Sequence, residues 1–152
     1  MPDPVTFASV TPRLALPLLF AAQAQKELFH NEALTRIDTL LHASVRDHVN
    51  DPPVSAEDGD GWLVGPSPTG AWTGHADAIA TFQGGAWQFL PPVAGMRVFV
   101  RETGQFAIFV DEWQKASSIQ EPSGGLNVDS HARAAIGALL LALRAAGILP
   151  SA

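Results

Sequence analysis

Glu27 and His30 stand three residues apart, the spacing at which a helix turns a carboxylate and an imidazole toward one metal ion. Di-iron bundles that use this pair need a second Glu-x-x-His and further carboxylates on facing helices, and the other helical stretch of this chain supplies none. The pair therefore reads as exposed helix residues. The run Glu57-Asp58-Gly59-Asp60-Gly61 has the outline of a calcium loop. At EF-hand spacing it lacks both the third acidic ligand and the closing bidentate glutamate, so it reads as a solvated turn before a strand. His42, Asp47 and His48 can meet in space, yet no nucleophile or oxyanion donor accompanies them. His131, early in the last helix, reads as a surface or interface residue. Gly65 to Gly70 has no Gly-Lys-Ser/Thr ending to cradle phosphate, and neither G-x-S-x-G, H-E-x-x-H nor G-x-G-x-x-G occurs. The absence of cysteine excludes disulfides, thiolate nucleophiles and thiolate-bound zinc. These residues assign no catalytic group, no cofactor and no metal, and an enzyme is not expected.

Binding potential rests on four tryptophans, whose faces stack on sugar rings and whose N–H groups reach polar partners. Trp62 and Trp87 fall inside expected strands and read as core. Trp72 and Trp113 flank turns and are the candidates for an exposed platform that contacts glycan.

The elements that must position these residues follow from periodicity. Residues 1–12 hold Pro2, Pro4 and Pro12 and read as an extended arm. The run LALPLLFAAQA resembles a leader, but no Lys/Arg cluster precedes it and prolines interrupt the stretch. From Arg13 to Phe20 an extended apolar segment packing into the core is expected instead, with Pro17 barring a central strand. Between Gln23 and His42 an amphipathic helix is expected. It places Leu34, Ile37, Leu40 and Leu41 on one face and Glu27, Asn31, Thr35, Asp38 and His42 on the other. Ala43 to Val49 reads as a short strand, and Gly61 to Gly65 as another. Ala78–Gln83 and Ala86–Leu90 around Gly84-Gly85 form a hairpin, since a Gly pair supplies the positive φ values of a primed turn. Met96–Arg101 and Phe106–Val110 form a second hairpin, with Gly104 in a left-handed position. Residues 116–128 are polar, contain a Gly-Gly pair and read as a linker.

The last element is a helix within 129–150. Ala132, Ile136, Leu139, Leu143 and Ala146 recur at steps of four and three, with Leu140 beside them, and Leu141 lies off the stripe. Asp129 or Ser130 can cap its start, Gly147 suits a left-handed residue after its end, and Pro150 forbids continuation. A helix apolar on more than one side, carried on a linker, is a candidate assembly element. Its expected interface residues are Ile136, Leu139, Leu140 and Leu143.

The 152-residue length suits one domain. The expected class is α+β: an N-terminal amphipathic helix and a C-terminal helix with a small Trp-rich antiparallel sheet of hairpins. The arm covers 1–12, the α+β domain 13–115, the linker 116–128 and the helix 129–150. Only 16% of residues are charged, against about 25% in ordinary chains, which leaves less surface for solvent and hints at surface lost to partners. A net charge of −6 argues against a grip on nucleic acid. No apolar run reaches the length of a membrane span, so no membrane insertion is expected.

Leu14 to Asp38 resembles the opening signature of a phage-associated domain of unknown function. That domain occurs in tail-fibre-like and other virion proteins of bacteriophages and of gene transfer agents. The residues carrying the likeness are Leu16, Pro17, Gln23-Ala24-Gln25-Lys26-Glu27, Asn31-Glu32-Ala33-Leu34 and Asp38. Downstream it continues through Gly59 to Gly65, Gly70 to His75, Gly85 to Phe89 and Gly95 to Val98, and the closing helix is similar too. The resemblance implies a virion component used in host attachment and carries over no catalytic residue. Because only a linker and one helix follow the domain, a base or adaptor for a head spike or tail fibre is expected rather than a fibre. The expected partners are copies of the chain in a symmetric ring or trimer, a capsid-vertex or tail component, and a fibre protein. The expected location is the virion, after synthesis in the bacterial cytoplasm. The alternative is a carbohydrate-binding module for host capsular or cell-wall polysaccharide, acting through Trp72, Trp113 or neighbouring loops.

Overall fold

The Gly84-Gly85 pair makes a two-residue turn. Both residues have positive φ, 59° and 78°, and they join strands β4 (Ile79–Gln83) and β5 (Ala86–Leu90) with Gln83 directly opposite Ala86. A second hairpin joins β6 (Arg97–Val100) to β7 (Gln105–Phe109), and Gly104 takes the expected left-handed conformation at φ 62°. The computed structural model describes residues 9–20, 26–125 and 128–151. The remaining elements are α1 (Lys26–Leu40), β1 (Ser44–Val45), β2 (His48–Val49), β3 (Gly61–Val64), a 3-10 turn at Gly70–Trp72, β8 (Trp113–Gln114) and α2 (Ser130–Ala145). Residues 1–8 of the expected arm and 23–25 of the expected first helix lie outside the described residues.

The class is α+β, but the single antiparallel sheet is corrected to two mixed sheets of four strands, β1-β6-β7-β8 and β2-β3-β4-β5. The expected strand over Ala43 to Val49 is the hinge between them. Its first half pairs in parallel with β6 and its second half in parallel with β3, so one short segment belongs to both sheets. Parallel neighbours must be far apart in sequence, and hairpin spacing alone does not foresee them.

The two sheets close over a core of Val45, Leu63, Ile79, Leu90, Val98, Val100, Ala107 and Trp113. Strand β3 is buried on both sides. Leu63 faces this first core, while Trp62 and Val64 face a second one with Trp72, Ala78 and Ala80, flanked by Trp87 and Phe89. That explains why Gly61 to Val64 has no polar alternation.

The extended segment expected to pack into the core from Arg13 to Phe20 is corrected: residues 9–20 form a surface strap. Val10 bridges Pro17, and Leu14 and Phe20 remain open to solvent. Polar contacts with α1 hold it in place. The Asp38 carboxylate, 2% exposed, accepts hydrogen bonds from Thr11 Oγ1 (2.7 Å), Arg13 N (3.0 Å) and Leu14 N (2.7 Å). The Asn31 amide accepts from Leu19 N (2.9 Å) and donates to Leu19 O (3.0 Å). Arg13 reaches over the end of α1 and donates to the carbonyls of Asp38, Thr39 and His42 at 2.6–3.0 Å. This satisfies two of the orphan acceptors at the helix C-terminus, Asp38 O and Thr39 O, and sets a cation at its negative end.

Candidate functional site

Helix α2 starts as expected. Asp129 caps it, accepting from the backbone N–H groups of His131 and Ala132, both at 3.0 Å. It ends in a Schellman turn: Gly147, at φ 67°, donates to Arg144 O (2.9 Å), and Ile148 donates to Leu143 O (2.9 Å). Past the turn, Phe106 N bonds Gly147 O (2.7 Å) and Ser151 N bonds Thr103 O (3.0 Å), which fastens the end of the helix to β7 and its hairpin loop. The Phe99 and Phe106 rings press on Gly147 so closely that a Cβ there would lie 3.2 Å from both.

Of the four expected interface residues, the chain itself covers one. Leu140 is buried within its own protomer, which corrects its assignment to a neighbour, and Leu143 is half-buried. Ile136 remains 42% and Leu139 58% exposed, and Leu141 is exposed on another side. From Ala134 to Leu143 the helix carries no ionisable or hydrogen-bonding side chain. A helix apolar on all sides normally lies inside a larger body, so this one has faces left to cover.

Helix α1 is turned opposite to the expectation. The face expected to meet solvent is the one packed inward: Thr35, Asp38 and Thr39 are buried and Asn31 is half-buried. The apolar residues point out, with Phe29 76% exposed and Ile37, Leu40 and Leu41 also open. The inversion has a local cause. The strap presents backbone N–H groups and the Thr11 hydroxyl, which need acceptors, and the polar stripe of α1 supplies them. Sequence reasoning missed this clasp. The available signal was the spacing of Asn31, Thr35 and Asp38 at steps of four and three, as regular as that of the apolar stripe. The open face of α1 runs at Leu40 into a depression shared with His42, Ala43, Arg97, Phe99 and Phe106. Across Arg97 and Phe106 that depression continues toward Ile108, Lys115 and Ile148.

The tryptophan platform is corrected. Trp72 is fully buried and Trp113 is 7% exposed, so neither offers a face to a sugar. Trp72 is swung inward by the 3-10 turn onto Trp87 (5.2 Å between ring centroids, edge-on) and Trp62 (6.3 Å), and Trp62 also meets Trp87 at 5.6 Å. The rings use one another as partners. Trp113 donates from Nε1 to Asp77 O (2.7 Å), pinning the edge of one sheet to the loop that opens β4 of the other.

The other polar groups hold loops. Asp60 binds Arg46 (2.7 Å) and the backbone N of Glu57 (3.0 Å), while Asp58 accepts from Gly84 N (2.9 Å) at the hairpin tip. The acidic run thus spends two of its carboxylates on its own loop and the adjacent hairpin. His30 directs Nδ1 at Lys26 O (2.9 Å) within α1. Asp47 accepts from the backbone N of His48 (2.7 Å). Burial lowers the His48 pKa from its ordinary 6.5, Lys115 lowers it further, and Asp77 and Asp47 oppose them. Its buried Nε2 has no hydrogen-bond partner among the described residues.

These features define an α+β protein of two mixed sheets, flanked by two helices whose apolar faces are open. Residues 30–114, more than half of the chain, match the family described as protein of unknown function (DUF2793), and the chain belongs to that family. No curated protein matches the chain.

Proposed function

We propose that this protein is a structural component of a phage-like particle, a gene transfer agent or a tailed phage. In this reading it assembles with copies of itself and acts as the base or adaptor that fixes a head spike or tail fibre used in host attachment. The virion part rests on the signature from Leu16 through Val98, which resembles that of virion proteins. The assembly part rests on one observation: Ile136 and Leu139 of α2 remain open on a helix without polar residues over its middle turns. Its partners in this reading are a capsid-vertex or tail component and a fibre protein. The glycan-binding alternative has lost both of its named platforms and gains no observation in return.

Two experiments test the proposal. Labelling this chain in purified particles and imaging them should place it at a fixed copy number where a spike or fibre is attached, and particles that lack the chain altogether would refute the virion assignment. Light scattering of the purified protein should give a multiple of the 16.1 kDa chain mass. Leu139→Asp should return it to one chain mass, and a monomer before substitution would refute assembly.

A further inference from the structure

The outer face of α1 is as unusual as α2. Phe29, Ala33, Ile37 and Leu40 follow one another at steps of four, four and three, and all four are exposed, so one apolar stripe runs nearly the whole helix. Leu28 and Leu41 widen it at its two ends. Inward rotation cannot bury it, because the opposite face is committed to the strap through Asp38 and Asn31. Nor does the chain's own α2 cover it: that helix is fastened at its end to Phe99, Phe106 and Thr103, and its own stripe remains open.

We propose that the outer face of α1 is the seat for helix α2 of a neighbouring copy of this chain. The two helices match in length, 15 and 16 residues. Half the flank of a helix that long and 10–12 Å wide is roughly 400 Å². One such face falls short of the about 800 Å² that each partner contributes to a standard interface, whereas a reciprocal pair, in which α2 of each copy sits on α1 of the other, brings both faces of a protomer into one interface and reaches it. Shape and charge favour α2 over a second α1. The stripe of α1 projects large side chains, and α2 offers the small exposed Ala135, Ala138 and Ala142 to receive them. Pairing α1 with itself would bring the Lys26 and Arg36 that border the stripe toward their own copies, although Arg36 is partly neutralised by Glu32 at 2.5 Å. Helix α2 has no ionisable group from Ala134 to Leu143 and leaves those charges on the rim.

This inference rests on the reading of α2 as the assembling element, and the test separates the two. The chain has no cysteine, so introduced thiols are the only ones present. Ala33→Cys and Ala138→Cys each place one thiol on an exposed position of a proposed face. Co-expressed and oxidised, the two variants should give a disulfide-linked dimer containing one of each, while either variant alone should give none. A dimer from Ala33→Cys alone means that α1 pairs with itself and overturns the proposal. A dimer from Ala138→Cys alone means that α2 helices pack on one another, which overturns the seat on α1 and leaves assembly through α2 standing. No cross-link together with a single-chain mass in light scattering overturns both. Phe29→Asp changes only a solvent-facing side chain of the protomer. It should lower the mass in light scattering to one chain while far-ultraviolet circular dichroism is unchanged, and an unchanged mass would overturn the seat.

Discussion

Replacing Asp38 with alanine tests the polar clasp most directly. Its carboxylate is the shared acceptor for three donors: the Thr11 hydroxyl, which is buried, and the backbone N–H groups of Arg13 and Leu14, which are partly buried. A buried donor left without an acceptor costs about 1–3 kcal/mol, and the two partly shielded amides fall toward the lower end, so the variant should lose roughly 3–5 kcal/mol of local stability. At about 1.4 kcal/mol per factor of ten, that is an opening of the strap roughly 140- to 3700-fold more frequent. Spread over the whole chain the same loss would lower Tm by roughly 6–20 °C. None of the strap residues belongs to either hydrophobic core, so the loss should stay local. Hydrogen exchange read by mass spectrometry should therefore speed up in a peptide covering 9–20, where the Leu16 and Leu19 amides bond Thr11 Oγ1 and Asn31 Oδ1, and stay nearly unchanged in β3 and β4. Asp38→Asn keeps one acceptor oxygen but turns an amide N–H₂ toward donors, and should fall between the wild type and alanine. Exchange over 9–20 within tenfold of wild type, or equal acceleration in β3, would refute the clasp as the support of the strap.

Three further outcomes follow from the packing. Trp72→Ala should cost about 3–5 kcal/mol, because it empties the centre of the Trp62–Trp87 cluster, and a denaturant midpoint close to wild type would contradict that burial. Gly147→Ala puts a Cβ on a left-handed residue at φ 67° and against the Phe99 and Phe106 rings, so it should destabilise the attachment of α2 by more than about 1 kcal/mol, seen as faster exchange at Phe106 and Ile148. For His48, the folded pKa lies below the unfolded value near 6.5, so the unfolded chain takes up the proton first. Stability should be full above about pH 6.5 and fall as the pH drops through that value toward the lowered folded pKa. His48→Gln should flatten this part of the curve in denaturant titrations at pH 5–8, and an unchanged slope would remove His48 as its source.

The sequence by itself determined what depends on neighbours along the chain. Gly84-Gly85 and Gly104 fixed two hairpins because positive φ is a local property, Gly147 fixed the end of α2 for the same reason, and its start was legible as a cap at Asp129 or Ser130 because capping is also local. The α+β class was also legible, from the helical and alternating apolar periods along the chain. What only the tertiary structure decided was which face of an element turns inward. Helix α1 carries two stripes of equal regularity, and period alone cannot rank them; the unsatisfied donors of a strap 24–27 residues away selected the polar one. Trp72 and Trp113 flank turns, as an exposed platform would, but the direction of each ring depends on which sheet lies opposite. The split of Ala43 to Val49 between two sheets likewise depended on parallel partners distant in sequence. Burial is a property of pairs of surfaces, and a single chain read in order shows only one member of each pair.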